Sequence, residues 1–192
     1  SPDGTKIVFT SHRDNDLDIY TMSNDGSNIT RLTTAYGYDG GPFFSWSGNY
    51  IVYRSFHPKT DAERESYRED LTNNIFRPSW LELFVMAMDG SDNRQVTNLG
   101  AATFAPFLHP NDRQIIFSSN HGDPKGRKFS LFLVNVDGTG LEQVTFENGF
   151  ASFPMFSPDG SKLVFVSSRN AKSPREFNVF LADCFNNFII NS

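Results

Sequence analysis

Four side chains that can carry a positive charge stand at the same place past four apolar triplets: Arg13, His57, His121 and Arg169. If they share one surface, their fields add and favour the binding of an anion. Alternatively, each side chain bonds within its own structural unit and ties strand ends together. The sequence leaves both interpretations open, an anion-binding ring and a set of structural ties.

A run of acidic residues, Asp14-Asn15-Asp16-Leu17-Asp18, superficially offers ligands for calcium. An EF-hand loop needs glycine at its sixth position, and that position holds Ile19. We therefore interpret the run as a solvated turn. His109 stands in a turn where two other repeats have Ser and is expected to be structural, and His12 stands where other repeats carry Phe56, Asn120 and Ser168 and is expected to be ordinary variation.

Motifs of known catalytic chemistry are missing from the sequence. There is no Gly-x-Ser-x-Gly elbow, no phosphate-binding glycine loop and no His-Glu-x-x-His helix. Cys184 is the single cysteine, which excludes an internal disulfide and a cysteine-rich zinc site. The sequence therefore predicts no catalytic residue, no metal site and no cofactor.

Composition narrows the class of partner. The net charge of −5 and the pI near 5.3 provide no basic surface for nucleic acid. No apolar run approaches the roughly 20 residues that cross a bilayer, and no signal peptide is visible.

The chain starts without Met in the middle of a repeat, as expected of a processed or excised start. Twenty phenylalanines favour β structure, in which aromatic side chains pack well.

The candidate site residues belong to a unit that occurs four times. The copies begin at Ser1, Ser45, His109 and Ser157, which are 44, 64 and 48 residues apart. Each begins with a turn, whose sequence in the first and fourth copies is Ser-Pro-Asp-Gly, and continues into an apolar triplet such as Ile7-Val8-Phe9. Self-similarity at this period indicates a repeat architecture.

The complete repeat unit predicts four strands. The apolar triplet and a second apolar stretch are followed, in the first three copies, by an Asp-Gly hairpin turn and a third short strand such as residues 31–33. A fourth strand contains Pro42, Pro106 or Pro154 at equivalent positions. Because proline cannot donate to a ladder, this strand should lie at a sheet edge. Four strands with such an edge describe a propeller blade whose innermost strand lines a central channel.

The sequence Ser-Pro-Asp-Gly-x-Lys-Ile-Val-Phe, followed by Asp-Ile-Tyr, Asp-Gly-Ser and Arg-Leu-Thr, resembles the repeat of TolB-type β-propellers over residues 1–183. The resemblance implies an all-β fold of four-stranded antiparallel blades, usually six or seven in a ring, in exported proteins. It also implies likeness to the propeller domains of prolyl oligopeptidase-type enzymes. Counting strands gives three, four, four and three, so we expect part of a larger ring. A four-bladed closure completed by residues 185–191 stays open, and the tail 184–192 departs from the repeat.

One blade carries an insertion at about residues 58–79. Thr60-Asp61-Ala62-Glu63 is a capping box, and Tyr67 and Leu71 follow on one helical face. Asn73-Asn74 and later Pro78 should mark the end of this helix. Strand direction puts the insertion on the same face as the four cationic residues.

These patterns predict a non-enzymatic binding or scaffolding propeller, periplasmic or extracytoplasmic by resemblance. Its expected partner is a protein or peptide, acidic or carboxylate-bearing, rather than nucleic acid, and no membrane span is expected. Two alternatives stay open: the propeller domain of a prolyl oligopeptidase-like peptidase, and a propeller enzyme such as a metal-dependent polysaccharide lyase. Fold alone does not choose among them, because propellers carry many functions.

Overall fold

The computed structural model describes residues 1–77, 80–123, 125–146, 149–173 and 175–184. Within these ranges the chain forms fourteen β-strands and one α-helix. The strands make four antiparallel sheets of three, four, four and three strands, as the repeat pattern predicts. The predicted helix end at Pro78 and the predicted closing segment 185–191 lie outside the described residues.

Strands follow one another in chain order within each sheet. Sheet 1 contains β1 (Lys6–Ser11), β2 (Asp18–Ser23) and β3 (Thr30–Arg31), and sheet 2 contains β4 (Tyr38–Phe44), β5 (Tyr50–Phe56), β6 (Glu82–Ala87) and β7 (Arg94–Gln95). Sheet 3 contains β8 (Thr103–Leu108), β9 (Gln114–Ser119), β10 (Ser130–Asn135) and β11 (Glu142–Gln143), and sheet 4 contains β12 (Ala151–Phe156), β13 (Lys162–Ser167) and β14 (Asn178–Asp183).

The turn that opens each repeat has the same geometry in all four copies. Its fourth residue has a positive φ, at Gly4, Gly48, Asp112 and Gly160, and its amide donates to the carbonyl of the first turn residue. In two copies, an aspartate fixes the turn by accepting bonds from nearby Ser or Thr groups, which lowers the pKa of Asp3 and of Asp159 to about 2. The turns are therefore built locally, as the sequence suggests.

The proline-bearing strands β4, β8 and β12 lie at sheet edges, as predicted. Each contains a β-bulge at its proline. The residue before the proline has a positive φ of 61° at Gly41, 52° at Ala105 and 53° at Phe153. Only glycine adopts this conformation without steric cost, so two of the three bulges hold a strained residue.

The strand after the Asp-Gly hairpin is shorter than expected in sheets 1, 2 and 3. Residues 31–33 were expected to form it in sheet 1, whereas β3 is only Thr30–Arg31. The reason is that the hydroxyl of Thr33 accepts the Ile19 amide at 2.9 Å, where a backbone carbonyl would continue the ladder. Thr97 and Thr145 do the same in sheets 2 and 3.

Apolar cores lie between successive sheets. Sheet 2 packs on sheet 3 through buried residues that include Leu83 and Val85 on one side and Phe117 on the other. Sheet 3 packs on sheet 4 in the same manner, with Leu131 and Leu133 in the cluster. Contacts join each sheet to the next, and among the described strands none joins sheet 1 to sheet 4. The described strands therefore form an open arc of four blades.

The insertion contains helix α1 (Asp61–Thr72), which begins with the predicted capping box. The Thr60 hydroxyl accepts the Glu63 amide at 3.2 Å, and the Glu63 carboxylate accepts the Thr60 amide at 2.9 Å. Asn73 caps the C-terminal end, as expected. Both termini are thus stabilised by side chains that the sequence makes recognisable.

Candidate functional site

One surface of the arc carries the candidate residues. The ends of β1, β5, β9 and β13 meet there with the starts of β2, β6, β10 and β14, and α1 connects β5 to β6. We call this surface the helix face. Its opposite surface carries the Asp-Gly hairpins and the Ser-Pro-Asp-Gly turns.

A buried hydrogen-bond network fixes α1 to sheet 1. The hydroxyl of Tyr67 donates to Oδ1 of Asp16 at 2.6 Å, and Asp16 also accepts the amides of Leu17 and Gly37. Asp16 is only 6% exposed. Burial and the bond to this carboxylate raise the pKa of Tyr67, so the phenol stays a proton donor. The expectation of a solvated turn at residues 14–18 was wrong for Asp16 and for Asp18, which is fully buried.

Beneath α1 lies an aromatic cluster that joins the helix to sheet 2. Tyr38, Phe56 and Tyr67 are buried in it, and Leu71 packs against it. The ring of Phe76 stacks on that of Tyr38 with centroids 3.8 Å apart. Tyr67 and Leu71 therefore share the buried helical face that their spacing predicts. The cluster makes the insertion part of the folded scaffold.

The segment after α1 is folded back by one carboxylate. Asp70, which is 8% exposed, accepts the backbone amide of Arg77 and a bond from its guanidinium, each at 3.1 Å. Asn74 adopts a positive φ of 53°, which turns the chain. As a result, Ile75 and Phe76 return towards sheet 1.

This return creates a cavity of about 210 Å³ between the helix end and the β1–β2 loop. Its lining is mostly apolar, with two polar side chains, and consists of His12, Leu17, Leu71, Asn74, Ile75 and Phe76. The β1–β2 loop also contains Arg13 and Asp16. The cavity therefore lies at the loop that carries Arg13 and the helix anchor Asp16, although Arg13 is not among its lining residues.

Arg13 lies over an aromatic pair of its own sheet. Phe9 and Tyr20 are directly opposite on β1 and β2, and the guanidinium carbon is 5.2 and 4.8 Å from their ring centroids. Its Nε donates to Ser11 at 2.9 Å. Cation–π contact and one hydrogen bond hold the guanidinium of this exposed arginine over its own sheet.

His57 makes the same kind of contact in sheet 2 and has an acidic partner. Its Nε2 is 2.9 Å from Oγ of Ser55 and 3.1 Å from Oδ1 of Asp39, which is 1% exposed. Its ring packs edge-on against Phe84. A catalytic triad needs serine and aspartate on different ring nitrogens. Both contacts here involve Nε2, so this Ser-His-Asp group is a structural tie in its present geometry.

His121 and Arg169 repeat the arrangement in sheets 3 and 4. The His121 ring packs edge-on against Phe132, and the Arg169 guanidinium lies 5.0 and 5.2 Å from the Phe165 and Phe180 centroids. The amide of each donates to the serine two residues earlier at 3.1 Å. All four predicted residues thus lie on one face, and each contacts its own sheet.

The structure brings Arg13 and His57 close to the insertion, one in the loop that binds α1 and the other just before it in the chain. His121 and Arg169 belong to sheets 3 and 4. His12 was expected to be ordinary variation, yet it lines the cavity. No repeat signal identifies it, because its counterparts are Phe56, Asn120 and Ser168.

A second buried network supports the β1–β2 loop from below. Asp18 accepts a bond from the Arg31 guanidinium at 2.5 Å and one from the Thr33 hydroxyl at 3.2 Å. Burial raises the pKa of Asp18, and the charge of Arg31 opposes that shift. This ion pair fixes the start of β2, where the β1–β2 loop ends.

The described residues hold neither a metal-ligand cluster nor a membrane-spanning helix. Nowhere in those ranges do three His, Cys, Asp or Glu side chains converge as metal ligands. No described helix has the length and hydropathy of a membrane span.

Comparison with known proteins shows the fold. No family model matches the chain. TolB from Acinetobacter baumannii superposes with a TM-score of 0.71 at 20% identity, over 95% of this chain and 39% of that one. A TolB structure from Agrobacterium tumefaciens gives 0.70 at 23% identity, over 95% and 59%. The chain therefore has the TolB-like β-propeller fold that its repeats predict.

Two further proteins are similar over smaller fractions of their own length. A prolyl endopeptidase structure superposes with a TM-score of 0.61 at 12% identity, over 95% of this chain and 27% of that one. An uncharacterised protein of Agrobacterium fabrum is 26% identical over 123 residues, which are 64% of this chain and 35% of that protein. The chain thus spans less than two thirds of these proteins and of both TolB structures.

Proposed function

We propose that this chain is a non-enzymatic binding propeller that captures a protein or peptide on its helix face. The observation that supports this most is the fixed insertion, which interrupts the fourfold repetition at one place. Binding residues concentrate on loops held by a rigid scaffold. A single anchored helix beside a partly apolar cavity gives one part of the face a shape that the other sheets lack.

The chemistry of the site favours a ligand with both an apolar and an acidic part. The cavity offers Leu17, Leu71 and Phe76 to an apolar side chain. Arg13 is exposed in the same loop as the lining residue His12, and its planar fork suits a carboxylate better than a lysine or histidine does. His57 is the less suitable anion ligand because it already contacts Asp39. We therefore propose an acidic peptide segment with an apolar anchor.

The location proposed for the protein is periplasmic or extracytoplasmic, by its likeness to TolB. Of the enzymatic alternatives, the peptidase hypothesis applies only to a propeller attached to a separate catalytic domain. The lyase reading needs metal ligands that converge. The anchored insertion favours the binding function over both alternatives.

The test uses a fluorescent Glu-rich peptide with one Leu or Phe as probe. Arg13→Gln and Arg169→Gln are compared singly and together, with Arg113→Gln in a turn of the opposite face as matched control. We expect the double variant to weaken capture at least about tenfold, since each charge-assisted bond contributes about 1.5 to 3 kcal/mol when shielded and less when exposed. Arg13→Gln alone should account for more of the loss than Arg169→Gln.

Thermal unfolding of each variant separates binding from structure. If capture falls while the unfolding temperature is unchanged, the arginines bind ligand. If the variants lose stability and the folded protein still captures the probe normally, the arginines are structural ties and the proposed site is wrong. Equal loss with Arg113→Gln would indicate nonspecific attraction.

A further inference from the structure

Two neighbouring loops of the helix face concentrate positive charge in a chain whose net charge is −5. They are the β9–β10 loop, residues 120–129, and the β13–β14 loop, residues 168–177. Together they contain six of the 17 Lys and Arg residues and only two of the 22 Asp and Glu residues. We call the six basic side chains the basic surface: Lys125, Arg127, Lys128, Arg169, Lys172 and Arg175.

The rest of the helix face has the opposite balance. Residues 57–77, which contain α1, include five acidic and four basic side chains, and the β1–β2 loop sets Asp14 and Asp16 against Arg13. Glu65 and Glu69 are exposed on the helix. The basic surface is therefore bounded on its own face by an acidic region.

The acidic residue of each basic loop is bound by its own backbone. The carboxylate of Asp123 accepts the amides of Arg127 and Lys128 at 2.7 and 2.9 Å. The carboxylate of Glu176 accepts the amide of Lys172 at 2.8 Å. The same device thus folds both loops and directs each carboxylate to backbone donors.

Most of the basic side chains are available to a ligand. Four of the six are exposed, and within the described ranges they form no ion pair: Lys125, Arg127, Lys172 and Arg175. A cavity of about 410 Å³ opens between the β9–β10 loop and residues 99–102, and Lys125 is one of its lining residues. The cavity gives the basic surface a recess at one end.

The two loops are joined through the segment that leads into β12. The amide of Phe129 donates to the Gly149 carbonyl at 3.1 Å, and the Phe129 carbonyl accepts the Ala151 amide at 2.8 Å. The amide of Ser168 donates to the Phe150 carbonyl between them at 2.9 Å. The end of one loop and the start of the other are therefore bonded to the same short segment, which makes their charges neighbours.

The β9–β10 loop is a fixed part of the scaffold. Oδ1 of Asn120 accepts the Ala102 amide at 2.9 Å, and its Nδ2 donates to the Gly126 carbonyl at 3.1 Å. Sheet 3, which carries the loop, packs against sheet 2 on one side and sheet 4 on the other. The exposure of this loop therefore does not depend on where the chain begins or ends.

We propose that the basic surface binds an acidic segment of a partner protein, with several Asp or Glu residues in close succession. Arginine and lysine both pair with carboxylates, and complementary charge steers such a segment to this part of the face. Apart from Arg169, the surface shares no residue with the site of the proposed function. The inference goes beyond that function, because it needs neither the cavity at the helix end nor an apolar anchor.

The limited size of the basic surface favours a short acidic segment over other anions. A nucleic acid or an anionic membrane presents negative charge continuously, so it would extend from the basic surface onto the acidic region around α1. Repulsion there would offset the attraction. A protein segment can end or turn where the positive charge ends.

The test is fluorescence anisotropy of the 192-residue chain with a labelled peptide of alternating Glu and Gly. This probe has no apolar residue for the cavity at the helix end. One double variant, Lys125→Gln with Arg127→Gln, removes two charges from the first loop. A second, Lys172→Gln with Arg175→Gln, removes two from the other loop.

The matched control is Arg64→Gln with Arg68→Gln, which removes two exposed charges from α1 on the same face. We expect each loop variant to weaken binding about threefold to tenfold, because exposed charge pairs are individually modest, and all four changes together to weaken it at least about tenfold. The control and Arg13→Gln should bind the probe as the unaltered chain does. Thermal unfolding should be unchanged, since all the altered side chains are exposed.

Four results would overturn the proposal. They are no binding up to about 1 mM probe at low salt, equal loss in the α1 control, loss in Arg13→Gln, and tighter binding of a single-stranded oligonucleotide or of anionic lipid vesicles. Loss in Arg13→Gln would assign acidic ligands to the site of the proposed function instead. Failure of that site to capture its own Leu- or Phe-containing probe would leave the result expected here unchanged.

Discussion

Replacing Asp16 with alanine is expected to lower the free energy of unfolding by about 3 kcal/mol, because it leaves the Tyr67 hydroxyl and the Gly37 amide buried without partners. Each unsatisfied group of this kind costs about 1 to 3 kcal/mol. Asp16→Ala also frees α1 from sheet 1, so capture by the helix face should weaken in the protein that remains folded. Urea unfolding measures the first effect.

Tyr67→Phe isolates the bond itself. The expected loss is smaller, about 1 to 2 kcal/mol, because Asp16 keeps two amide donors. Tyr36→Phe is the matched control, since Tyr36 contacts the same ring at 5.4 Å between centroids and is 38% exposed. In a double-mutant cycle, additive losses from Asp16→Ala and Tyr67→Phe would show that the two residues do not anchor the helix together.

Arg31→Met is expected to lower the free energy of unfolding by about 2 to 4 kcal/mol at pH 7, because it leaves the buried Asp18 carboxylate without its counter-charge. The loss depends on pH with a definite sign. Burial already raises the pKa of Asp18 in the folded chain, and removing Arg31 raises it further. The folded state then gains protons relative to the unfolded state as pH falls, so the deficit should shrink between pH 7 and the ordinary aspartate value of 3.8.

The control for this change is Arg94→Met. Arg94 is exposed on the short strand β7 of sheet 2, and surface substitutions of this kind usually change stability by less than about 0.5 kcal/mol. Stability curves at several pH values give the comparison. A deficit of constant size from pH 7 to pH 4 would mean that Arg31 acts through packing rather than through Asp18.

The elements of this fold that depend on neighbouring residues were predicted from the sequence. Turns, strands and the capping box at Thr60 depend on neighbouring residues, so four repeats and one motif predicted them. The bulges at Ala105 and Phe153 were not readable, because neither residue type signals a positive φ. Short third strands were also missed, since a hydroxyl such as that of Thr33 replaces the ladder bond only once the strands have met.

The site was predicted in outline and missed in its contacts. Repeat alignment put the four cationic residues on one face, and it offered no information about the aromatic rings beneath them. The Asp16–Tyr67 bond joins residues 51 positions apart. The Asp39–His57 contact joins strand β4 to the residue that follows β5. Such pairs follow from tertiary packing, which spacing along the chain does not encode.

Hydrogen–deuterium exchange with the Glu-rich, Leu- or Phe-containing probe tests the central claim most directly. A ligand on the helix face should slow exchange at amides in residues 12–17 and 57–77, and should leave the hairpin turns at residues 24–28, 89–92 and 137–140 unchanged. The Arg13→Gln variant should lose most of that protection. Protection at the hairpin turns, or protection at the helix face that persists in Arg13→Gln at the same probe concentration, would contradict the account.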